Sequence, residues 1–231
     1  MLRRLLWFAL AAGALLAEQG ARAQEAPRNL TIFQRSVAAP SRALELGVGT
    51  GYNQGVGALD GEGLRHVQDI AGVGIGLDVG AGYRISPRIG VGAFAAGGLY
   101  RSVVPDGSAR SFAFGALASW HFRPYRSIDP WISFGGGYRV FWESPPTGGT
   151  ITRRALQVGR FAIGVDYRFS PEVAVGPYIA GDVSMFFDTT LPDGTSPSLG
   201  NALSTFVSAG VAARFDLLGR AEHPTIDIAT R

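Results

Sequence analysis

The stretch AGVGIGLDVGAGYRI, from Ala71 to Ile85, alternates strictly between two kinds of residue. Its apolar positions are Val73, Ile75, Leu77, Val79, Ala81, Tyr83 and Ile85. The positions between them are Gly72, Gly74, Gly76, Asp78, Gly80, Gly82 and Arg84. Because successive side chains of a strand point to opposite faces, this pattern predicts a β-strand with one apolar face and one small or charged face.

The same period of two recurs along the chain and predicts an all-β protein. The predicted strands are residues 43–53, 71–85, 89–100, 111–123, 130–142, 155–169, 173–186 and 203–217. A chain that is 46% hydrophobic is too apolar for intrinsic disorder, and no stretch after the N-terminal region is long enough for an apolar spanning helix. We therefore expect a closed eight-stranded antiparallel up-and-down transmembrane β-barrel.

Charges separate by face in these strands. None falls on the apolar faces, and six acidic and six basic residues occupy the opposite faces: Glu45, Asp78, Arg84, Arg123, Arg139, Glu143, Arg160, Asp166, Arg168, Asp182, Arg214 and Asp216. A charge facing lipid at mid-membrane costs about 2–4 kcal/mol, so the partition favours apolar faces that meet lipid. The alternative is a soluble barrel or sandwich, but its outer face should be rich in charge rather than in glycine and alanine.

The connections between the predicted strands alternate in length. Residues 55–70, 101–110, 143–154 and 187–202 form long connections, whereas 86–88, 124–129 and 170–172 are short or of medium length. Transmembrane barrels have short turns on the periplasmic side and longer loops outside. With both chain ends in the periplasm, the long connections are expected to be external.

Two similar stretches, YRISPRIGVG from Tyr83 and YRFSPEVAVG from Tyr167, predict matching hairpins at the periplasmic side. Aromatic side chains favour the membrane interface. The predicted periplasmic-side belt comprises Tyr83, Trp120, Phe122, Trp131, Tyr167 and Phe215, and its outer counterpart comprises Tyr52, Tyr100, Trp142 and Phe187.

The inward charges predict a lumen cluster of Asp78, Arg139, Arg160, Asp166 and Asp182. In the structural interpretation these groups pair and close the bore, since buried charges are tolerated only when paired. In the functional interpretation they line or gate a narrow polar path. Eight strands enclose a space that side chains can just fill, which favours the structural interpretation.

Pro177 lies in the middle of the seventh predicted strand. A central strand needs the backbone N–H that proline lacks. We therefore expect a β-bulge at Gly176-Pro177.

Few residues suggest catalysis. Ser119 and His121 share the inward face and are the best local nucleophile–base pair, but they lie near the predicted periplasmic turn, whereas enzymes that deacylate lipid A work at the outer leaflet. The G-x-G-x-G runs alternate within strands and lack the strand–turn–helix setting of a nucleotide-binding loop. We predict no catalytic, cofactor-binding or metal-binding residues, no cofactor and no nucleic-acid partner.

The first residues resemble a secretory signal. Arg3 and Arg4 precede the apolar run Leu5–Leu16, and Ala21-Arg22-Ala23 is typical of a cleavage site before Gln24. The predicted organisation is a signal peptide over 1–23, a periplasmic segment over 24–42, the barrel over 43–217 and a periplasmic tail over 218–231. The absence of Cys means that no disulfide stabilises the exported chain.

Taken together, the chain resembles the small outer-membrane barrels of Gram-negative bacteria, the OmpA-, OmpX- and OmpW-like group. The resemblance covers roughly 43–217 and includes the closing strand STFVSAGVAARFDL (204–217), in which Gly210 precedes outward Ala213 and Phe215. One departure is that the chain continues past Phe215. That continuation is too short for a peptidoglycan-binding domain, so a wall-anchoring role is not implied.

The resemblance implies a location in the outer membrane, with outer-membrane lipid, lipopolysaccharide and the outer-membrane assembly machinery as partners. It implies a non-enzymatic protein with a structural or surface-interaction role, whose surface ligand the sequence does not name. The alternatives are a narrow porin-like channel for ions or small solutes and, less favoured, an enzyme that modifies lipid A.

Overall fold

The computed structural model describes residues 37–197 and 200–220, which fold into a closed barrel of eight antiparallel strands. The strands are β1 (Ala43–Gly57), β2 (Ala71–Ser86), β3 (Ile89–Ser102), β4 (Ser108–His121), β5 (Ile128–Ser144), β6 (Ile151–Ser170), β7 (Val173–Thr190) and β8 (Ala202–Leu217). Each strand pairs with its neighbours in sequence, and β8 closes the barrel against β1. The predicted fold class is confirmed. The predicted signal peptide, residues 24–36 of the predicted periplasmic segment and residues 221–231 of the predicted tail lie outside the described residues.

The barrel has two distinct ends. The turn end holds the connections 87–88, 122–127 and 171–172, and the loop end holds 58–70, 103–107, 145–150 and 191–201. The expected length alternation is only partly right, because β3 and β4 extend their pairing and leave five residues between them, fewer than the six between β4 and β5. At the turn end, Ser41 pairs with Arg220, and the Ala39 amide donates a 2.6 Å hydrogen bond to the Pro124 carbonyl.

Apolar side chains cover the outside of the barrel. Ile75, Ile163 and Val183 are 69%, 43% and 40% exposed, and large exposed apolar residues occur on all eight strands. Asp78 and Arg160 lie on the inner face, where they contact each other. An apolar surface that is continuous around a barrel requires lipid rather than water as its surroundings. Separately, no helix in the described part of the chain is long and apolar enough to cross a membrane.

One bulge changes which side chains of β6 face inward. The pairing of β6 with both neighbours shifts by one residue around Val158. Because a one-residue shift exchanges the two faces of a strand, Arg153 and Gln157 point inward before the bulge, and Arg160 points inward after it. Arg154, next to buried Arg153, therefore faces outward.

The expected bulge at Gly176-Pro177 is wrong. On one side, Gly176 and Pro177 pair with Ala212 and Val211 of β8 in unbroken register. On the other side, the pairing with β6 skips two positions and resumes in the same register. The strand thus accommodates proline by opening the ladder locally, with no inserted residue.

Candidate functional site

A chain of ion pairs crosses the middle of the bore. We call Asp78, Arg139, Arg160 and Asp182 the central ion-pair layer. Arg160 on β6 contacts Asp78 on β2 at 2.7 Å and Asp182 on β7 at 3.1 Å, and Arg139 on β5 contacts Asp182 at 2.7 Å. Since β2 and β6 are four strands apart in an eight-stranded barrel, the Arg160–Asp78 pair joins opposite walls.

Neutral side chains complete the central ion-pair layer. The Tyr178 hydroxyl donates to Asp78 at 2.7 Å, and Arg139 donates to the hydroxyls of Ser184 and Ser111 at 3.2 and 3.3 Å. The guanidinium of Arg139 also lies 3.9 Å from the ring centre of Phe206. Buried charges with this many partners hold a fixed geometry, because each lost contact would leave a desolvated charge.

A second network fills the bore near the turn end. We call Glu45, Arg84, Asp166, Arg168, Arg214 and Asp216, together with His121 and Asp129, the turn-end layer. In it, Asp216 bridges Arg84 at 3.1 Å and Arg168 at 2.8 Å. Glu45 contacts Arg84 and Arg214 at 2.8 and 2.6 Å.

The sequence predicted one member of the turn-end layer, Asp166, as part of another group and did not predict a second member, Asp129. Asp166, predicted for the lumen cluster, contacts Arg214 at 3.1 Å and so belongs here rather than in the central ion-pair layer. Asp129 was missed because it lies one residue before the predicted start of the fifth strand.

Both ring nitrogens of His121 are engaged by charged side chains of the turn-end layer. Its Nδ1 lies 2.8 Å from Asp129, and its Nε2 lies 3.2 Å from Arg214 and 3.4 Å from Arg84. Guanidinium groups only donate, so Nε2 accepts and Nδ1 carries the proton toward Asp129. The Ser119 hydroxyl has no hydrogen-bond partner among the described residues, so no nucleophile–base contact forms.

The bore near the loop end holds an apolar cluster that the sequence did not predict, beside the buried Arg153–Glu143 ion pair. Leu59, Val67 and Ile70 of the first loop turn inward, with Val67 in a short 3₁₀ turn (Val67–Asp69). They pack with strand residues, and we name the group the loop-end cluster: Leu59, Val67, Ile70, Tyr100, Phe141, Phe186 and Phe206. Tyr100 was assigned to the outer aromatic belt, and this is wrong, since its hydroxyl lies 2.9 Å from Ser111 inside the barrel.

The predicted aromatic belt at the turn end needs one correction. Tyr83, Trp120 and Phe122 are exposed on the outer surface, and Tyr167 and Phe215 are half-buried. Trp131 is only 8% exposed, and its indole N–H donates to Asp166 at 2.9 Å. Trp131 has the opposite parity from the lipid-facing residues of β5, so its ring enters the bore and stacks with Arg214 at 5.0 Å.

A cavity of about 130 Å³ lies between the central ion-pair layer and the turn-end layer. Glycines of β1, β2 and β3 form much of its wall, and Asp78, Arg160 and Arg214 reach it from the two layers. Ser119, whose hydroxyl lacks a partner, also lines it. Most of the cavity wall is apolar, but these charged and hydroxyl groups border it, and its volume has room for several water molecules.

The described residues show no metal centre. In 37–197 and 200–220, no group of three or more His, Asp or Glu side chains lies close enough to hold an ion.

No protein-family model and no curated protein sequence matches the chain. Solved structures do. Neisserial surface protein A is 14% identical, with a TM-score of 0.51, and the match covers 75% of this chain and 97% of that one.

Two of the other matching structures have TM-scores below 0.5. The outer membrane protein OprG from Pseudomonas aeruginosa is 11% identical, with a TM-score of 0.47 and coverage of 77% and 99%. Ail, the attachment invasion locus protein of Yersinia pestis, is 15% identical, with a TM-score of 0.44 and coverage of 75% and 99%. The similarity to the neisserial protein and the closed antiparallel topology together show that this chain has the fold of the small eight-stranded outer-membrane barrels.

Proposed function

We propose that the protein is a non-enzymatic integral protein of a Gram-negative outer membrane, with a structural or surface-interaction role and a bore that does not conduct. The loop end faces the outside of the cell, and the turn end faces the periplasm. Lipopolysaccharide and membrane lipid surround the barrel, and the outer-membrane assembly machinery inserts it.

The observation that carries this proposal is the contact of Arg160 with Asp78 and Asp182 across the bore. A solute moving along the axis would have to separate these ion pairs in a desolvated space. The turn-end layer and the loop-end cluster obstruct the same path at two further levels. Three successive barriers favour a closed barrel over an open pore.

The location is supported by the outer surface. Apolar side chains cover all eight strands, and the charged side chains of the mid-barrel point inward. The likeness to neisserial surface protein A supports the fold, and the outer-membrane location is our inference from that fold and from the N-terminal signal pattern.

The non-enzymatic role is supported by the surroundings of His121. Both ring nitrogens are engaged, one by Asp129 and the other by two arginines. A general base needs a free lone pair directed at a nucleophile, and here two guanidinium groups occupy that position.

Planar-bilayer recording tests the closed bore. The wild type should show no steady unitary conductance, whereas Arg160→Ala, which removes the link between opposite walls, should raise the frequency of opening. Arg88→Ala is the matched control, because Arg88 is exposed in the β2–β3 turn. Steady steps in wild-type protein that persist in repeated preparations would refute the closed barrel.

A narrow channel is the second candidate, and the cavity between the two layers favours it. Space for water already exists over part of the path, so opening requires the two ion-pair layers and the loop-end cluster to rearrange over the rest. In this case the wild type itself conducts, and Arg160→Ala changes the size of the unitary step rather than creating it.

A further inference from the structure

Three arginines stand on the outer surface at the loop end of the barrel. Arg101 lies at the end of β3, Arg110 near the start of β4 and Arg154 near the start of β6. Arg101 and Arg110 are exposed, and Arg154 is partly exposed. We call these three residues the arginine rim.

The strand register places the arginine rim on one side of the barrel. Arg110 pairs with Trp142 on β5, and Trp142 pairs with Thr152 on β6, two residues from Arg154. Arg110 and Arg154 are therefore about 12 Å apart, two strand spacings across and two residues along.

Each arginine lies directly above an apolar side chain of the lipid-facing surface. Two residues further toward the middle of the barrel, on the same face, are Leu99 below Arg101, Phe112 below Arg110 and Leu156 below Arg154. Trp142 lies at the level of Arg110, with the guanidinium 5.4 Å from its ring centre. An arginine beside tryptophan at the edge of an apolar band is typical of the depth at which lipid headgroups lie.

The surrounding charges single out this side. The outer faces of β8, β1 and β2 carry no charged residue at their loop ends within the described strands. The exposed acidic residues of the described loops at this end are Glu62, Asp69, Asp106 and Asp193. Arg154 pairs with Asp188 on β7. Arg101 and Arg110 have no carboxylate partner among the described residues.

We propose that the arginine rim binds the phosphate groups of lipopolysaccharide in the outer leaflet. The guanidinium fork matches phosphate oxygens and is weakly hydrated, which makes arginine the favoured residue for such contacts. The acyl chains of the same molecule lie against Leu99, Phe112 and Leu156, so a single lipid meets both kinds of surface. This inference rests on the proposed outer-membrane location.

The test compares two triple variants of the full-length protein, refolded in detergent that contains no lipopolysaccharide. One variant carries Arg101→Gln, Arg110→Gln and Arg154→Gln. The control carries Arg88→Gln, Arg123→Gln and Arg126→Gln, which make the same change of charge at exposed positions of the turn end. Binding of purified lipopolysaccharide is measured by titration.

The rim variant should bind lipopolysaccharide about tenfold or more weakly, as expected when charged hydrogen bonds are lost, and the control should bind like the wild type. Wild-type protein should also bind dephosphorylated lipopolysaccharide more weakly, a measurement that does not depend on any variant folding. Equal binding of the phosphorylated and dephosphorylated forms, or equal losses in both triple variants, overturns the inference.

Gel mobility before and after heating separates this failure from failure of the proposed function. A folded barrel resists detergent and changes its mobility when it is heated. A wild-type protein without that change would contradict the membrane barrel itself, whereas a normal change with unaltered lipopolysaccharide binding contradicts only the role of the arginine rim.

Discussion

Arg160 and Asp78 meet at 2.7 Å although they lie on opposite walls of the barrel and 82 residues apart in the chain. Arg160 also contacts Asp182, which Arg139 contacts in turn, so two arginines balance two inward carboxylates. The Arg160–Asp78 contact links β6 to β2 directly through the bore, although the two strands are not neighbours in the sheet. Interior charge thus acts as a crosslink in a barrel that has no disulfide.

Removing Arg160 should destabilise the barrel strongly. In Arg160→Ala, Asp78 and Asp182 lose a buried cation, and breaking a buried pair costs about 3–5 kcal/mol. Urea titration of the protein in lipid vesicles, followed by tryptophan fluorescence, measures the free energy of unfolding. The double variant Arg160→Met, Asp78→Asn keeps the Arg139–Asp182 pair and should recover part of the loss, and a stability equal to that of wild type in Arg160→Ala would contradict the crosslink.

Asp216 should also contribute strongly to the free energy of unfolding, through its contacts at the turn end. Asp216→Asn removes the carboxylate shared by Arg84 and Arg168, and we expect a loss of about 3 kcal/mol in the free energy of unfolding. Glu62→Gln is the control, because Glu62 is an exposed carboxylate in the first loop and should leave stability unchanged. Similar urea midpoints for the two variants would show that the turn-end layer contributes little.

Two glycines should respond in opposite ways to alanine. A Cβ at Gly80 faces the cavity, with its nearest neighbour, the Ala93 carbonyl oxygen, at 3.7 Å, so Gly80→Ala should be neutral or stabilise by about 0.5 kcal/mol. A Cβ at Gly176 would overlap the carbonyl oxygen of Val165, so Gly176→Ala should cost about 2 kcal/mol or more. Unfolding midpoints in urea give the comparison, and equal effects would contradict this packing.

The first loop should be held down by Val67. Val67→Ser places a hydroxyl in the loop-end cluster and should speed trypsin cleavage after Arg65 several-fold, because cleavage requires the loop to leave the bore. Leu64→Ser is the matched control, since Leu64 is 75% exposed and packs against little. Digestion time courses on protein in vesicles distinguish the two, and equal rates would show that the loop is not anchored there.

Trp120 and Trp131 should differ in their contact with lipid. Bromine atoms on acyl chains quench nearby tryptophans, so Trp120→Phe should remove a large part of the quenching in brominated vesicles. Trp131→Phe should remove little, because the ring of Trp131 lies in the bore. A strong loss of quenching in the Trp131 variant would mean that Trp131 faces lipid, which would contradict the assignment of the inner and outer faces of β5.

The period of two was sufficient to predict the strand count, the antiparallel order and the facing of most side chains. It succeeded because lipid outside and a narrow bore inside impose opposite demands on successive residues, as at Ile75 and Asp78. The sequence alone could not predict the ion-pair partners of Arg160, since they depend on strand tilt and register around the whole barrel.

Other features depend on local irregularities that alternation does not record. The bulge near Val158 exchanges the faces of β6 and sends Arg154 outward. The inward turn of the first loop follows from its apolar residues, Leu59, Val67 and Ile70, which look unremarkable in a polar loop. Trp131 and Tyr100 were wrongly placed in the aromatic belts because their aromatic character was given more weight than their positions in the alternation, which put both on the inner face.

The contact of Glu45 with Arg214 joins residues 169 positions apart, on the first and last strands. Until the final strand docks, Glu45 and Arg84 face an incomplete seam without Arg214 and Asp216. The β1–β8 seam thus joins the two ends of the barrel sequence by pairing and by charge, in a meander whose other strand pairings are local. A chain truncated before β8 would leave Arg168 without Asp216 and Asp166 without Arg214 at its open edge.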